Sequence, residues 1–133
     1  MSIEAAIYEL LTNDATLADL VAGDIYPDFV PAGTNMPAVT YKLVAGHDEV
    51  STDIDVLPED RWQITAWADT HEDCLDVFAA LKDLWSRLSG TYAGVQIMET
   101  YIVQRGDVPK LSGGGAMAIY WGKFLDVMIT YLE

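Results

Sequence analysis

Four adjacent residues, His71-Glu72-Asp73-Cys74, gather the side chains best suited to chemistry in this sequence. An imidazole, two carboxylates and a thiol are the materials of metal binding, acid–base catalysis or nucleophilic attack. Their adjacency works against all three. On a helix, groups sharing a face stand three or four residues apart. The residue four beyond His71 is Leu75, so the H-E-x-x-H pattern is absent. His71 and Cys74 have helical i, i+3 spacing, but two ligands do not complete a zinc site. The acids suit the first turn of a helix, where carboxylates favour the positive end of the dipole. A nucleophilic Cys74 would need a base, and only His47 and His71 are on offer. A small buried thiol is the expected role.

Other candidate motifs fail in the same way. Ser112-Gly113-Gly114-Gly115 lacks the G-K-[ST] ending of a phosphate loop, and no helix is expected to begin right after it. Asp53-Ile54-Asp55 begins like a calcium loop but lacks the third acid and the required glycine. Arg105-Gly106-Asp107 matches an adhesion tripeptide, and a turn explains it. No serine lies in a G-x-S-x-G elbow. The sequence therefore points to no catalytic, metal or cofactor site, and to a protein that is not an enzyme.

The elements that hold these residues read as α+β. Ser2 caps a first helix whose Ile3, Ile7, Leu10 and Leu11 share one face. A short helical turn follows through Leu17, Leu20 and Val21, with Asp14 as cap and Gly23 as stop. Ile25-Tyr26 opens an extended stretch in which Pro27, Pro31 and Pro37 forbid a helix. Residues 38–44 and 61–68 alternate as half-buried strands around a polar, acidic segment from Gly46 to Asp60, a long loop or hairpin tip. Thr70 and Asp73 have capping-box spacing, and Leu75, Phe78, Leu81, Leu84, Trp85 and Leu88 form the apolar stripe of a long amphipathic helix. Val95–Val103 is a strand, 104–115 is turn-rich, and Phe124–Tyr131 is the last strand. The expected fold is one domain over 1–133: a mainly antiparallel sheet of about four to five strands, with the N-terminal helix and the long helix packed on one face.

Such a sheet leaves its other face needing cover. Four Trp, seven Tyr and three Phe are available, several on strand faces opposite the presumed core. Trp67, Tyr101, Trp121 and Tyr131 are the candidate contacts with another subunit. A second small core made by the long loops is the alternative.

Bulk properties narrow the class further. The 133 residues suit one domain, and 51% hydrophobic with 21% charged is a globular mix. One cysteine excludes an internal disulfide. No apolar run approaches the roughly 20 residues of a membrane helix. Met1-Ser2-Ile3-Glu4 lacks the features of a signal peptide, so an intact cytosolic product is expected. Seven Lys and Arg against 21 Asp and Glu give a net charge of −14, which leaves no means of gripping phosphates. Solubility or a saline habitat accounts for that acidity; so does a surface that stays near DNA without adhering to it.

The order of these features resembles the tail completion, or tail terminator, family of long-tailed bacteriophages. The likeness rests on Leu10-Leu11-Thr12-Asn13-Asp14-Ala15, on Leu20-Val21-Ala22-Gly23-Asp24-Ile25-Tyr26-Pro27 and on Met36-Pro37-Ala38-Val39-Thr40-Tyr41. Arg61-Trp62-Gln63-Ile64-Thr65-Ala66-Trp67-Ala68, the long helix and the closing strand follow in the family's order. The resemblance implies a virion structural protein, made in the host cytoplasm, that forms a hexameric ring. Such a ring caps the tail tube and joins it to the head-side connector, and DNA passes through without specific binding. It would then give the acidic residues Asp48, Glu49, Asp53, Asp55, Glu59 and Asp60 a place at the lumen or in a loop that orders on assembly. The competing readings are a head–tail stopper or adaptor, and a small ligand-binding α+β dimer.

Overall fold

The computed structural model describes residues 2–31, 36–47, 59–86, 88–112 and 119–132. Helix α1 (Ile3–Asn13) starts where the Ser2 hydroxyl accepts the Ala5 N–H at 3.2 Å, and it buries Ile3, Ala6, Ile7, Leu10 and Leu11. Asp14 ends α1 and caps α2 (Ala15–Val21), its carboxylate accepting the Leu17 N–H at 3.1 Å. Ala22 then turns left-handed at φ 51°, followed by Gly23 at φ 86°. Helix α3 (His71–Trp85) is capped by the Thr70 hydroxyl on the Asp73 N–H at 3.2 Å. Its buried stripe runs through Cys74, Val77, Phe78, Leu81 and Trp85. Leu75, expected in that stripe, is 41% exposed because Cys74 takes the inward position one residue earlier. The chain leaving α3 is stitched down by buried Thr100, whose hydroxyl donates to Trp85 O at 3.0 Å and accepts the Leu88 N–H at 2.8 Å.

Six strands follow the order β1-β2-β3-β6-β5-β4. They are β1 (Ile25–Pro27), β2 (Ala38–His47), β3 (Glu59–Ala68), β4 (Gly90–Tyr92), β5 (Val95–Ser112) and β6 (Ile119–Leu132). The α+β class holds, but the sheet is mixed, because β1 runs parallel to β2 while the other pairings are antiparallel. The short edges β1 and β4 account for the strands beyond the four or five expected.

Several boundaries move: α3 stops at Trp85, short of Leu88, β2 runs on to His47, and β6 starts at Ile119; two further shifts have physical reasons. Residues 104–112, expected as turns, continue β5. Gly106 pairs directly with Phe124, and Pro109 falls where the ladder slips between Val108 and Leu111, a bulge that needs no N–H from it. The acidic segment also ends sooner than expected, since Glu59 and Asp60 already belong to β3, opposite Thr130 and Ile129 of β6.

Alternation assigns the faces. Toward the helices point Val39 and Tyr41 of β2, Trp62, Ile64 and Ala66 of β3, and Leu125, Val127 and Ile129 of β6, all buried. Ile7, Leu11, Leu17 and Trp85 fill the space from the helix side. Fully burying one such aliphatic side chain contributes roughly 1.5–3 kcal/mol. The opposite face carries Thr40, Thr65, Trp67, Phe124, Asp126 and Tyr101.

Candidate assembly surfaces

The face away from the helices closes over with side chains of its own strands. Trp67 of β3 stands directly across from Gly122 of β6, and Phe124 of β6 across from Gly106 of β5. A Cβ on Gly122 would lie 2.8 Å from the Trp67 ring, and one on Gly106 would lie 3.0 Å from the Phe124 ring. Each glycine lets the neighbouring ring lie flat on the sheet. The Trp67 indole N–H donates to the Thr40 hydroxyl at 3.0 Å. Thr40, Thr65 and Asp126 are consequently buried although no helix covers them. Asp126 accepts from Arg61 at 2.6 Å and from Gln63 at 3.4 Å. What remains exposed there includes Tyr101 at 44%.

The four aromatics expected as subunit contacts therefore divide between the two faces. Trp67 and Tyr101 lie on the open face. Trp121 and Tyr131 point toward the helices, where Trp121 packs on the His71 ring with centroids 4.7 Å apart. Tyr131 is buried in the core, its hydroxyl donating to the Asp60 carboxylate at 3.1 Å.

Asp60 also receives the Trp62 indole N–H at 3.3 Å and is 7% exposed. It is a core residue of a strand, not part of a free loop. Gly46, across from it on β2, makes room, because a Cβ there would come 2.6 Å from the Asp60 carboxylate. Glu59 is half-buried and accepts from the Thr130 hydroxyl at 3.4 Å. Asp48, Glu49, Asp53 and Asp55 lie outside the described residues.

Of the four clustered residues, His71 and Cys74 line a cavity of about 220 Å³ with Asp107, Trp121 and Lys123, whereas Glu72 and Asp73 do not. Its chemistry runs opposite to that of a nucleophile. The Cys74 thiol is buried, directed at Ala66 O at 3.6 Å, and burial pushes its pKa up. The Lys123 charge opposes that shift only in part: its ammonium bonds Asp107 at 2.8 Å and stands 5.2 Å from the Phe78 ring centre. That hydrogen bond, and then the lysine charge, hold the Asp107 carboxyl below its usual range. Among the described residues, no three His, Cys, Asp or Glu side chains converge to hold a metal ion. No helix among them is long and apolar enough to cross a membrane.

Comparison with known proteins supplies what the geometry leaves open. The family model described as tail completion protein gp17 matches residues 5–113. The chain belongs to that family. Tail completion proteins are structural virion proteins, so this is a virion-located phage tail protein and not an enzyme. No curated protein matches the chain in sequence. Among solved structures, a chain of the "Virion of native gene transfer agent (GTA) particle" superposes with a TM-score of 0.66 at 18% identity. The match covers 98% of this chain and 94% of that one. At that identity the likeness speaks for the fold alone: this chain and a chain of that particle share it.

Sequence reading missed the glycine–aromatic pairs that close the open face. Their signal was present as Trp67, Gly106, Gly122 and Phe124, but only the cross-strand register brings each ring opposite its glycine.

Proposed function

We propose that this tail completion protein is a ring-forming terminator subunit, one that caps the tail tube and meets the head-side connector. One observation carries the reading: family membership over most of the chain coincides with a sheet whose two ends are unlike. At one end the chain passes from β2 to β3 through residues 48–58, whose sequence is acidic. At the other end α3 begins and the β5–β6 pair runs on past the end of β3, from Trp121 toward Ile119 and Ser112. Two different surfaces on one subunit suit heterologous contacts, which generate a closed ring when the rotation between neighbours closes. The exposed Tyr101 on the open face is a further contact candidate.

In this reading six copies enclose the DNA channel, and the net charge of −14 per chain keeps passing DNA from adhering. Binding assays with purified tube protein and with portal protein test the role. A terminator binds the tube ends. Binding to the portal alone would assign the chain to the stopper or adaptor class instead.

A further inference from the structure

The chain has seven basic residues, and three of them, Lys82, Arg105 and Lys123, line one groove. This groove, of about 540 Å³, runs between α3 and the β5–β6 pair. Its apolar wall is Leu75, Phe78 and Ala79. Lys123 is bonded to Asp107, but Lys82 and Arg105 make no ion pair among the described residues, and both are exposed. With Asp107 also on its lining, three bases meet one acid there, a local excess of positive charge in a chain of net charge −14.

The same chain has a segment of the opposite chemistry. Residues 48–58, which join β2 to β3, include Asp48, Glu49, Asp53 and Asp55 with no Lys or Arg. Val50, Ile54, Val56 and Leu57 are interleaved with them. Acids would meet Lys82 and Arg105, while the aliphatic side chains would meet Leu75 and Ala79.

Reach decides between a contact within one chain and a contact between two. The segment leaves the sheet at Glu59, whereas Arg105 and Asp107 stand level with Ile64 and Ala66 on β3, by way of Leu125 and Lys123 of β6. At about 3.3 Å per residue, the groove lies roughly 17–23 Å back along the sheet. It also lies roughly 10 Å to the side, two strand spacings from β3. A segment of this length anchored at both ends extends its midpoint roughly 20 Å at most. Folding back would use its whole extension to graze the groove. A second copy has no such restriction.

We infer that the groove between α3 and β5–β6 receives the acidic 48–58 segment of a neighbouring copy. The inference rests on the ring reading above and deepens it by naming the two surfaces that meet. Donor and acceptor are different surfaces of one subunit, set apart along the sheet, so the contact is heterologous and propagates head to tail.

The test uses the full-length chain, isotope-labelled, titrated at low salt with a synthetic peptide of residues 46–60. Amide shifts are expected at Leu75, Ala79, Lys82 and Arg105, weakening as salt is added. The double substitution Lys82→Glu with Arg105→Glu should weaken binding at least tenfold. A peptide with Asp53→Lys and Asp55→Lys should regain it against that variant. Absent shifts, shifts confined to another surface, or no recovery with the charge-exchanged pair would overturn the inference. Ring formation is read separately, from particle mass with tube protein, so a ring that assembles unaffected by these substitutions would sink the contact and leave the ring standing.

Discussion

Asp126 is an acid that no helix covers and that is nonetheless buried, held chiefly by one partner. Its carboxylate is held by Arg61 at 2.6 Å, with Gln63 at 3.4 Å as a weaker second donor. Because Arg61 stays about a third exposed, solvent screens part of the pair. Arg61→Ala should still destabilise the fold by about 1–3 kcal/mol, because it strands a buried charge. Urea denaturation measures this, and a loss below about 0.5 kcal/mol would mean that water replaces the guanidinium. Cys74 and Tyr41 give a second prediction at this scale. Burial raises both pKa values, with Glu4 a lesser cause at Tyr41 and the Lys123 charge partly opposing the shift at Cys74. Groups held protonated in the fold ionise first in the unfolded chain. Their contribution is full below the unfolded values and is lost as pH rises through the folded ones. Stability should therefore fall above about pH 9, and Cys74→Ala should flatten the first part of that fall in urea midpoints measured across alkaline pH.

At the scale of elements, periodicity and caps made the helices legible. Ser2, Asp14 and Thr70 each cap the helix assigned to them, through their own side-chain oxygens. Alternation likewise located β2 and β3. The far end of β5 was illegible because Gly106 and Pro109 read locally as turn residues, and only the neighbouring strand explains them. Gly106 makes room for Phe124, and Pro109 sits at a bulge. The direction of β1 was hidden too, since three extended residues carry no mark of parallel or antiparallel pairing. Of the candidate site, the fate of Cys74 was legible, while Asp60 and Tyr131 were not: a carboxylate in an acidic run gives no sign that an indole and a phenol hold it in the core. Gly122→Ala tests the glycine–aromatic pairs. The new methyl would meet the Trp67 ring at 2.8 Å and Val108 Cβ at 2.9 Å, so one of them must shift. A loss of about 1–3 kcal/mol is expected, along with a change in tryptophan fluorescence. Unchanged stability and spectrum would show that the ring moves freely off the sheet.

For the whole molecule, charge and assembly are linked. A net charge of −14 repels itself within the chain and between copies, so the melting temperature should rise with added salt. A fall on adding salt would show that attractive pairs outweigh the repulsion. Ring closure requires an attraction that this repulsion does not defeat, which is why a groove with a local excess of positive charge matters more here than on a neutral protein. Family membership makes the chain a tail protein; the ring is the claim that function depends on. Its most direct test is particle mass by light scattering, with and without purified tube protein, followed by negative-stain imaging. The account expects a six-subunit particle with a central hole, alone or seated on tube ends. A stable dimer, or a chain that stays monomeric in the presence of tube ends, would contradict it.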